Sequence, residues 1–108
     1  MALDITTTQE AEHMLIQVAG EVDVSNAAEL RTALESALAD GSAKVEIDFT
    51  DVSYIDSTGI GVLVGAAHRA HETGATFTVA HPQKNVARVF DLLGVSEDLH
   101  VCADDERR

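Results

Sequence analysis

The sequence predicts a single α/β domain built on a small mixed sheet, in the order β-β-α-β-α-β-α with a short final helix. Strand-like runs alternate with stretches whose apolar residues recur at helical spacing. The first two runs are separated by only a short polar segment, which makes a hairpin. The chain has 108 residues, 45% of them hydrophobic, enough for one ordinary core. Alternating strands and helices argue for right-handed crossovers and parallel pairing, and the opening hairpin makes the sheet mixed. The domain is expected to fill residues 1–108, with a core over about residues 3–101 and a frayed tail at Asp104 to Arg108.

Leu3 to Thr8, rich in Thr and Ile, reads as an edge strand, and Glu10 to Glu12 as a turn. His13 to Ala19 is a nearly unbroken apolar run bounded by Gly20, as a buried strand would be. Ser25 and Asn26 are helix-capping residues, and Leu30, Ala33, Leu34, Ala37 and Leu38 follow at helical spacing up to a stop at Gly41. Lys44 to Phe49 alternates as a strand, with Val45, Ile47 and Phe49 on one side. Asp51 to Asp56 reads as a turn, with Ser57 placed to cap the next helix. That helix carries Ile60, Leu63, Val64 and Ala67 at i, i+3, i+4, i+7 and ends at Thr73-Gly74. Thr76 to Ala80 is a strand. Val86, Val89, Phe90 and Leu93 mark a third helix stopped by Gly94, and Ser96 to Val101 reads as one last helical turn.

Composition excludes several functions. Seven Lys+Arg against 19 Asp+Glu give a net charge of -12, which disfavours nucleic acid and anionic membranes. No run approaches the length that spans a bilayer, and Met1 to Glu10 has neither the basic start nor the apolar run of a secretory signal. The single cysteine, Cys102, excludes an internal disulfide and a thiolate-rich metal site and reads as incidental. His68 and His71 share a helix, but no third ligand has usable spacing, so no metal is expected. No cofactor is implied. The expectation is an acidic cytoplasmic domain, and its size favours a regulatory or binding role over an enzyme.

The chemistry concentrates in Asp56-Ser57-Thr58-Gly59-Ile60-Gly61, at the N-terminus of the second helix. Backbone N–H groups point outward there and the dipole favours negative charge. A hydroxyl at that point either caps the helix or receives a phosphate at low cost. Gly61 and Gly65 fall inside the helix, where each costs about 1 kcal/mol relative to Ala. Their spacing suggests close approach by another surface, or tight packing on a neighbouring helix. Val62 projects away from the apolar stripe and is expected to be exposed beside Ser57, as part of a docking patch. Glu21, Asp23, Asp51 and Asp56 lie in two strand-to-helix connections. If the strands are parallel, Asp23 and Asp56 become neighbours. Without a nucleophile–base pair such acids read as loop carboxylates rather than a catalytic set.

Gly20-Glu21-Val22-Asp23 ahead of an Ala/Leu-rich helix, followed by Asp51-Val52-Ser53-Tyr54-Ile55-Asp56-Ser57-Thr58-Gly59-Ile60-Gly61, resembles the STAS domain of bacterial anti-sigma factor antagonists. Pro82 to Val95, ending Phe90-Asp91-Leu92-Leu93-Gly94-Val95, is similar to that family's closing helix, so the likeness runs from Leu3 to Leu99. The resemblance implies a non-catalytic protein whose motif serine, here Ser57, is phosphorylated by an ATP-dependent anti-sigma factor serine kinase. The unphosphorylated form would bind that kinase and free a sigma factor, and a PP2C-type phosphatase would restore it. The partner surface implied is Glu21, Asp23, Asp56, Ser57, Thr58, Gly59, Gly61 and Val62. Thr58 stands where many relatives carry a second serine, which leaves it open as a minor phosphoacceptor. Two other readings remain. One is a STAS scaffold or sensor in another signalling or transport complex. The other is a small nucleotide- or anion-binding protein using the Ser57 helix N-terminus.

Overall fold

The computed structural model describes residues 3–101. It contains β1 (Asp4–Glu10), β2 (His13–Val22), α1 (Ala27–Ala39), β3 (Lys44–Ile55), α2 (Ser57–Thr73), β4 (Thr76–Ala80) and α3 (Lys84–Leu92). The expectations for Cys102 and for the tail at Asp104 to Arg108 lie outside the described residues. The strands form one sheet in the order β1-β2-β3-β4. β1 and β2 are antiparallel and close on the pair Glu10↔His13, while β2–β3 and β3–β4 are parallel. The sheet is therefore mixed, as the hairpin and the alternation of elements predict.

Both crossovers step the same way across the sheet, which places α1 and α2 side by side on one face. The strands turn Met14, Ile16, Val45, Ile47, Phe49, Phe77 and Val79 toward the helices, where they are buried with Leu30, Leu34, Ile60, Leu63 and Phe90. Phe49 and Phe90 join α3 to this core with tilted rings whose centroids lie 6.4 Å apart, a favourable aromatic spacing. Glu46 and Asp48, the alternate residues of β3, remain partly exposed on the other face. Among the described residues no helix is long and apolar enough to cross a membrane.

The main departure from the sequence reading is the length of β3. The segment Asp51–Ile55, read as a turn, continues the strand beside the second half of β2, with Gly20↔Val52, Glu21↔Tyr54 and Val22↔Ile55. β2 likewise runs through Gly20, which was expected to bound it. Register shifts between Gln17 and Ala19 and between Gly20 and Glu21 break the two-residue alternation. The buried residues of this stretch, Val52 and Ile55, are consequently three apart. β4 pairs only with Lys44 to Asp48 and leaves the upper half of β3 without a strand neighbour on that edge. Side chains at the start of α3 serve that edge: the Gln83 amide donates to the Thr50 carbonyl at 3.0 Å, and the Asn85 amide to the Ser53 carbonyl at 2.8 Å.

The C-terminal end differs at α3. α3 stops at Leu92, and Leu93 occupies the C-cap with 54% exposure instead of joining the buried stripe of Val86 and Phe90. Residues 96–100 form turns and no regular helix, with one helical turn closed by the Leu99 N–H donating to the Val95 carbonyl at 3.0 Å. Within it Leu99 is buried and its carbonyl accepts from the Val79 N–H at 3.2 Å, covering the outer side of β4.

Candidate functional site

β2 and β3 end together, at Val22 and Ile55, and the Asp56 N–H extends the pairing by donating to the Val22 carbonyl at 3.1 Å. Asp23 and Asp56 therefore leave the sheet side by side, as parallel pairing requires. Asp56, not Ser57, is the N-cap of α2. Its backbone is extended, its carboxylate accepts from the Gly59 N–H at 3.1 Å, and its carbonyl accepts from the Ile60 N–H at 3.0 Å. Such a cap contributes about 1 kcal/mol. With the cap supplied by its neighbour, Ser57 stands at the first helical position with its side chain exposed, followed by the exposed Thr58. The N–H groups of the first helical residues have no intrahelical acceptor, so Ser57 sits where an added phosphate finds donors and a favourable dipole.

Gly59 is needed for this arrangement. A Cβ there would lie 2.6 Å from Val22 Cγ1 and 2.9 Å from Ile55 Cγ1, closer than carbon atoms pack. The first turn of α2 thus rests directly on the ends of β2 and β3. Gly59 is buried, so its part is to seat Ser57 and not to face a partner. Gly61, by contrast, is exposed, and a Cβ at Gly61 or Gly65 would meet nothing within 4 Å. The expected packing of these two glycines against a neighbouring helix of the chain is absent.

Val62 is a correction. It is 5% exposed and belongs to the core. α2 packs against α1 as well as against β3 and β4. It therefore buries a second row, Gly59, Val62, Ala66 and Ala70, beside the Ile60, Leu63 and Ala67 row that the periodicity revealed. The exposed apolar residues near this end are instead Val24, 75% exposed in the turn after β2, and Tyr54, 48% exposed near the end of β3. The one sequence signal of Val24 is an apolar residue between Asp23 and Ser25 that fits no periodic face.

That turn is tightly bonded. The Asp23 carboxylate accepts from the Ser25 N–H at 2.9 Å and from the Ser25 hydroxyl at 2.5 Å. These bonds, the hydroxyl's first, hold its pKa below the ordinary carboxylate value, so Asp23 is charged at neutral pH. Asn26, expected as a helix-capping residue, occupies the N-cap position of α1 without a side-chain bond to the helix. Its amide turns back, accepting from the Asp23 N–H at 2.9 Å and donating to the Glu21 carbonyl at 2.8 Å. Glu21 itself is exposed.

His68 and His71 both lie on α2; among the described residues, no group of three or more His, Cys, Asp or Glu is placed to hold a metal ion. They line, with Glu72 and His100, a cavity of about 840 Å³. It lies in the C-terminal half of α2, about 15 Å along the helix from Ser57 at 1.5 Å per residue.

Residues 5–101 match the family model described as "Mlab, STAS domain". The chain belongs to the STAS domain family. Among its relatives is the anti-sigma-B factor antagonist of Bacillus subtilis, 32% identical over 106 residues that cover 98% of this chain and 96% of the relative. Of solved structures, an anti-sigma factor antagonist from Mycobacterium paratuberculosis is similar, with a TM-score of 0.84 at 20% identity over 93% of this chain and 85% of that one. The Bacillus cell fate determinant SpoIIAA in its phosphorylated form gives 0.72 at 19% identity over 96% of each chain. The structural likenesses, at that identity, speak to the fold.

Proposed function

We propose that this protein is an anti-sigma factor antagonist switched by phosphorylation of Ser57. The observation that carries the proposal is the division of labour at the start of α2. Asp56 caps the helix, which leaves the neighbouring Ser57 hydroxyl exposed at a helix N-terminus. The full-length likeness to an anti-sigma-B factor antagonist supports the same reading.

In this reading the protein binds and does not catalyse. The unphosphorylated form engages an anti-sigma factor serine kinase through Glu21, Asp23, Asp56, Ser57, Thr58 and Gly61, and the sigma factor is released. The kinase ends the engagement: Ser57 Oγ bonds to the γ-phosphorus of ATP, the hydroxyl proton departs and ADP leaves. A PP2C-type phosphatase hydrolyses the ester and restores the hydroxyl. The exchange takes place in the cytoplasm. Asp56 orients Ser57 through the cap and contacts the kinase; it orients rather than acting as a base, because its carboxylate is already engaged with the Gly59 N–H.

The electrostatics favour a docking switch over a folding switch. A phosphate adds about -1.5 to -2 charge at neutral pH. The helix N-terminus tolerates it locally, while Asp23 and Asp56 beside it and a net charge of -12 repel it, so the added charge sits where the kinase docks and disturbs the contact there. A tenfold loss of affinity needs only about 1.4 kcal/mol. The test is titration of the purified anti-sigma factor of the same bacterium with the unmodified and the Ser57-phosphorylated protein. At least tenfold weaker binding of the phosphorylated form is expected. Equal affinity overturns the proposal.

A further inference from the structure

We infer that Asn26, although it faces no partner, is a positioning residue of the partner surface and sets the shape of the acidic turn from Glu21 to Asp23 from inside the fold. The inference rests on the reading of that turn as part of the docking surface. Asn26 is 1% exposed and sits where a helix cap belongs, yet its side chain makes no cap bond. Its Oδ1 accepts from the Asp23 N–H at 2.9 Å and its Nδ2 donates to the Glu21 carbonyl at 2.8 Å. Its own N–H, with that of Ala27, donates to the Asp23 carbonyl at 3.1 and 2.9 Å. The remaining carbonyl of the turn, that of Val22, accepts from the Asp56 N–H. The backbone from Glu21 to Asp23 is thereby tied on one side to Asn26 and on the other to the residue that caps the Ser57 helix.

The chemistry is selective. Holding both an N–H and a carbonyl needs an acceptor and a donor at the tip of one short side chain. Aspartate lacks the donor, and serine carries a single oxygen. Both bonds are part-buried, and the Asn26 side chain itself is buried, where an unpaired polar group is costly. Loss of the amide therefore frees the turn that aims the Glu21 and Asp23 carboxylates.

Two measurements test this. In the free protein, amide hydrogen exchange is followed in Asn26→Ala. The Asp23 amide is expected to exchange at least tenfold faster while Gly59 and Leu63 amides in α2 keep their wild-type rates. Equal acceleration of all three makes Asn26 an ordinary structural residue and overturns the inference. In the second measurement the purified anti-sigma factor of the same bacterium is titrated with Asn26→Ala, Asp23→Ala and the double variant. Each single variant is expected to bind about tenfold more weakly, and the double variant no more than about threefold below Asp23→Ala, because both act through one turn. Independent losses that multiply to about a hundredfold, or wild-type affinity for Asn26→Ala beside a weakened Asp23→Ala, overturn it. Wild-type affinity for Asp23→Ala overturns the docking-surface reading itself. If Asn26→Ala does not fold, Asn26→Asp carries the test. It is isosteric, keeps the acceptor for the Asp23 N–H and loses the donor to Glu21. Weakened binding supports the inference and unchanged binding overturns it.

Discussion

Two glycines in the first turns of α2 make a paired prediction of opposite sign. Gly59→Ala inserts a Cβ that meets Val22 Cγ1 at 2.6 Å and Ile55 Cγ1 at 2.9 Å. Both neighbours are core residues, and the contacting atoms are near the backbone rather than at the far end of a flexible chain. Relief requires α2 to lift or two buried side chains to leave their rotamers, which costs about 1–3 kcal/mol. The gain in helix propensity on replacing Gly offsets at most about 1 kcal/mol. Because 2.6 Å is shorter than real Cβ contacts, the cost falls in the upper part of that range and a net loss of about 1–2 kcal/mol follows, which lowers Tm by about 4–8 °C per kcal/mol in a domain of this size. Gly61→Ala, two residues on, meets nothing within 4 Å and should stabilise by about 0.5–1 kcal/mol. Urea denaturation of the two variants beside the wild type reads both numbers. A Gly59→Ala protein as stable as the wild type refutes the close seating of α2 on the strand ends, and a destabilised Gly61→Ala protein refutes the open space beside Gly61.

Further predictions concern the site. Asp56→Ala should lose about 1 kcal/mol with the cap, and both it and Asp56→Asn should slow Ser57 phosphorylation; unchanged rates of phosphate incorporation remove Asp56 from the site. Ser25→Ala removes the hydroxyl bond and should raise the Asp23 pKa toward the ordinary carboxylate value, as NMR titration of the carboxyl carbon would show. The sign is that of a depressed acid: any stability gained from the Asp23 bonds is present above the unfolded pKa and is lost as pH falls through the lower folded value. Asn85→Ala should cost about 0.5 kcal/mol, the low end for a hydrogen bond that water can replace, seen as a slightly lower urea midpoint. Phosphorylation of Ser57 should leave far-UV circular dichroism unchanged; a loss of helical signal contradicts a docking switch.

What the sequence made legible was what repeats. The α1 stripe, the alternation of Val45, Ile47 and Phe49 and the Thr73-Gly74 stop each depend on local periodicity or turn chemistry, and each stands in the structure. The failures fall where tertiary contacts override that pattern. β3 runs on past Phe49 because two register shifts move its inward residues to a spacing of three. Val62 is buried because α2 has α1 beside it, a second neighbour that a single helical projection does not include. Ser57 yields the cap to Asp56, since either residue type suits that position and only the backbone of Asp56, extended where that of Ser57 is helical, decides. Asn26 shows the same limit. Its type announces a helix start, and the helix does start at Ala27, but the amide serves the turn behind it.

The central claim is that Ser57 is the phosphorylated residue. Its most direct test is phosphosite mapping by mass spectrometry after incubation of the purified protein with ATP and an extract of its native cells, with Ser57→Ala in parallel. The account predicts phosphate on Ser57 and its loss in the variant. Phosphate on another residue alone, or none across several growth and stress conditions, contradicts it and makes Ser57 merely the first residue of a helix that Asp56 caps.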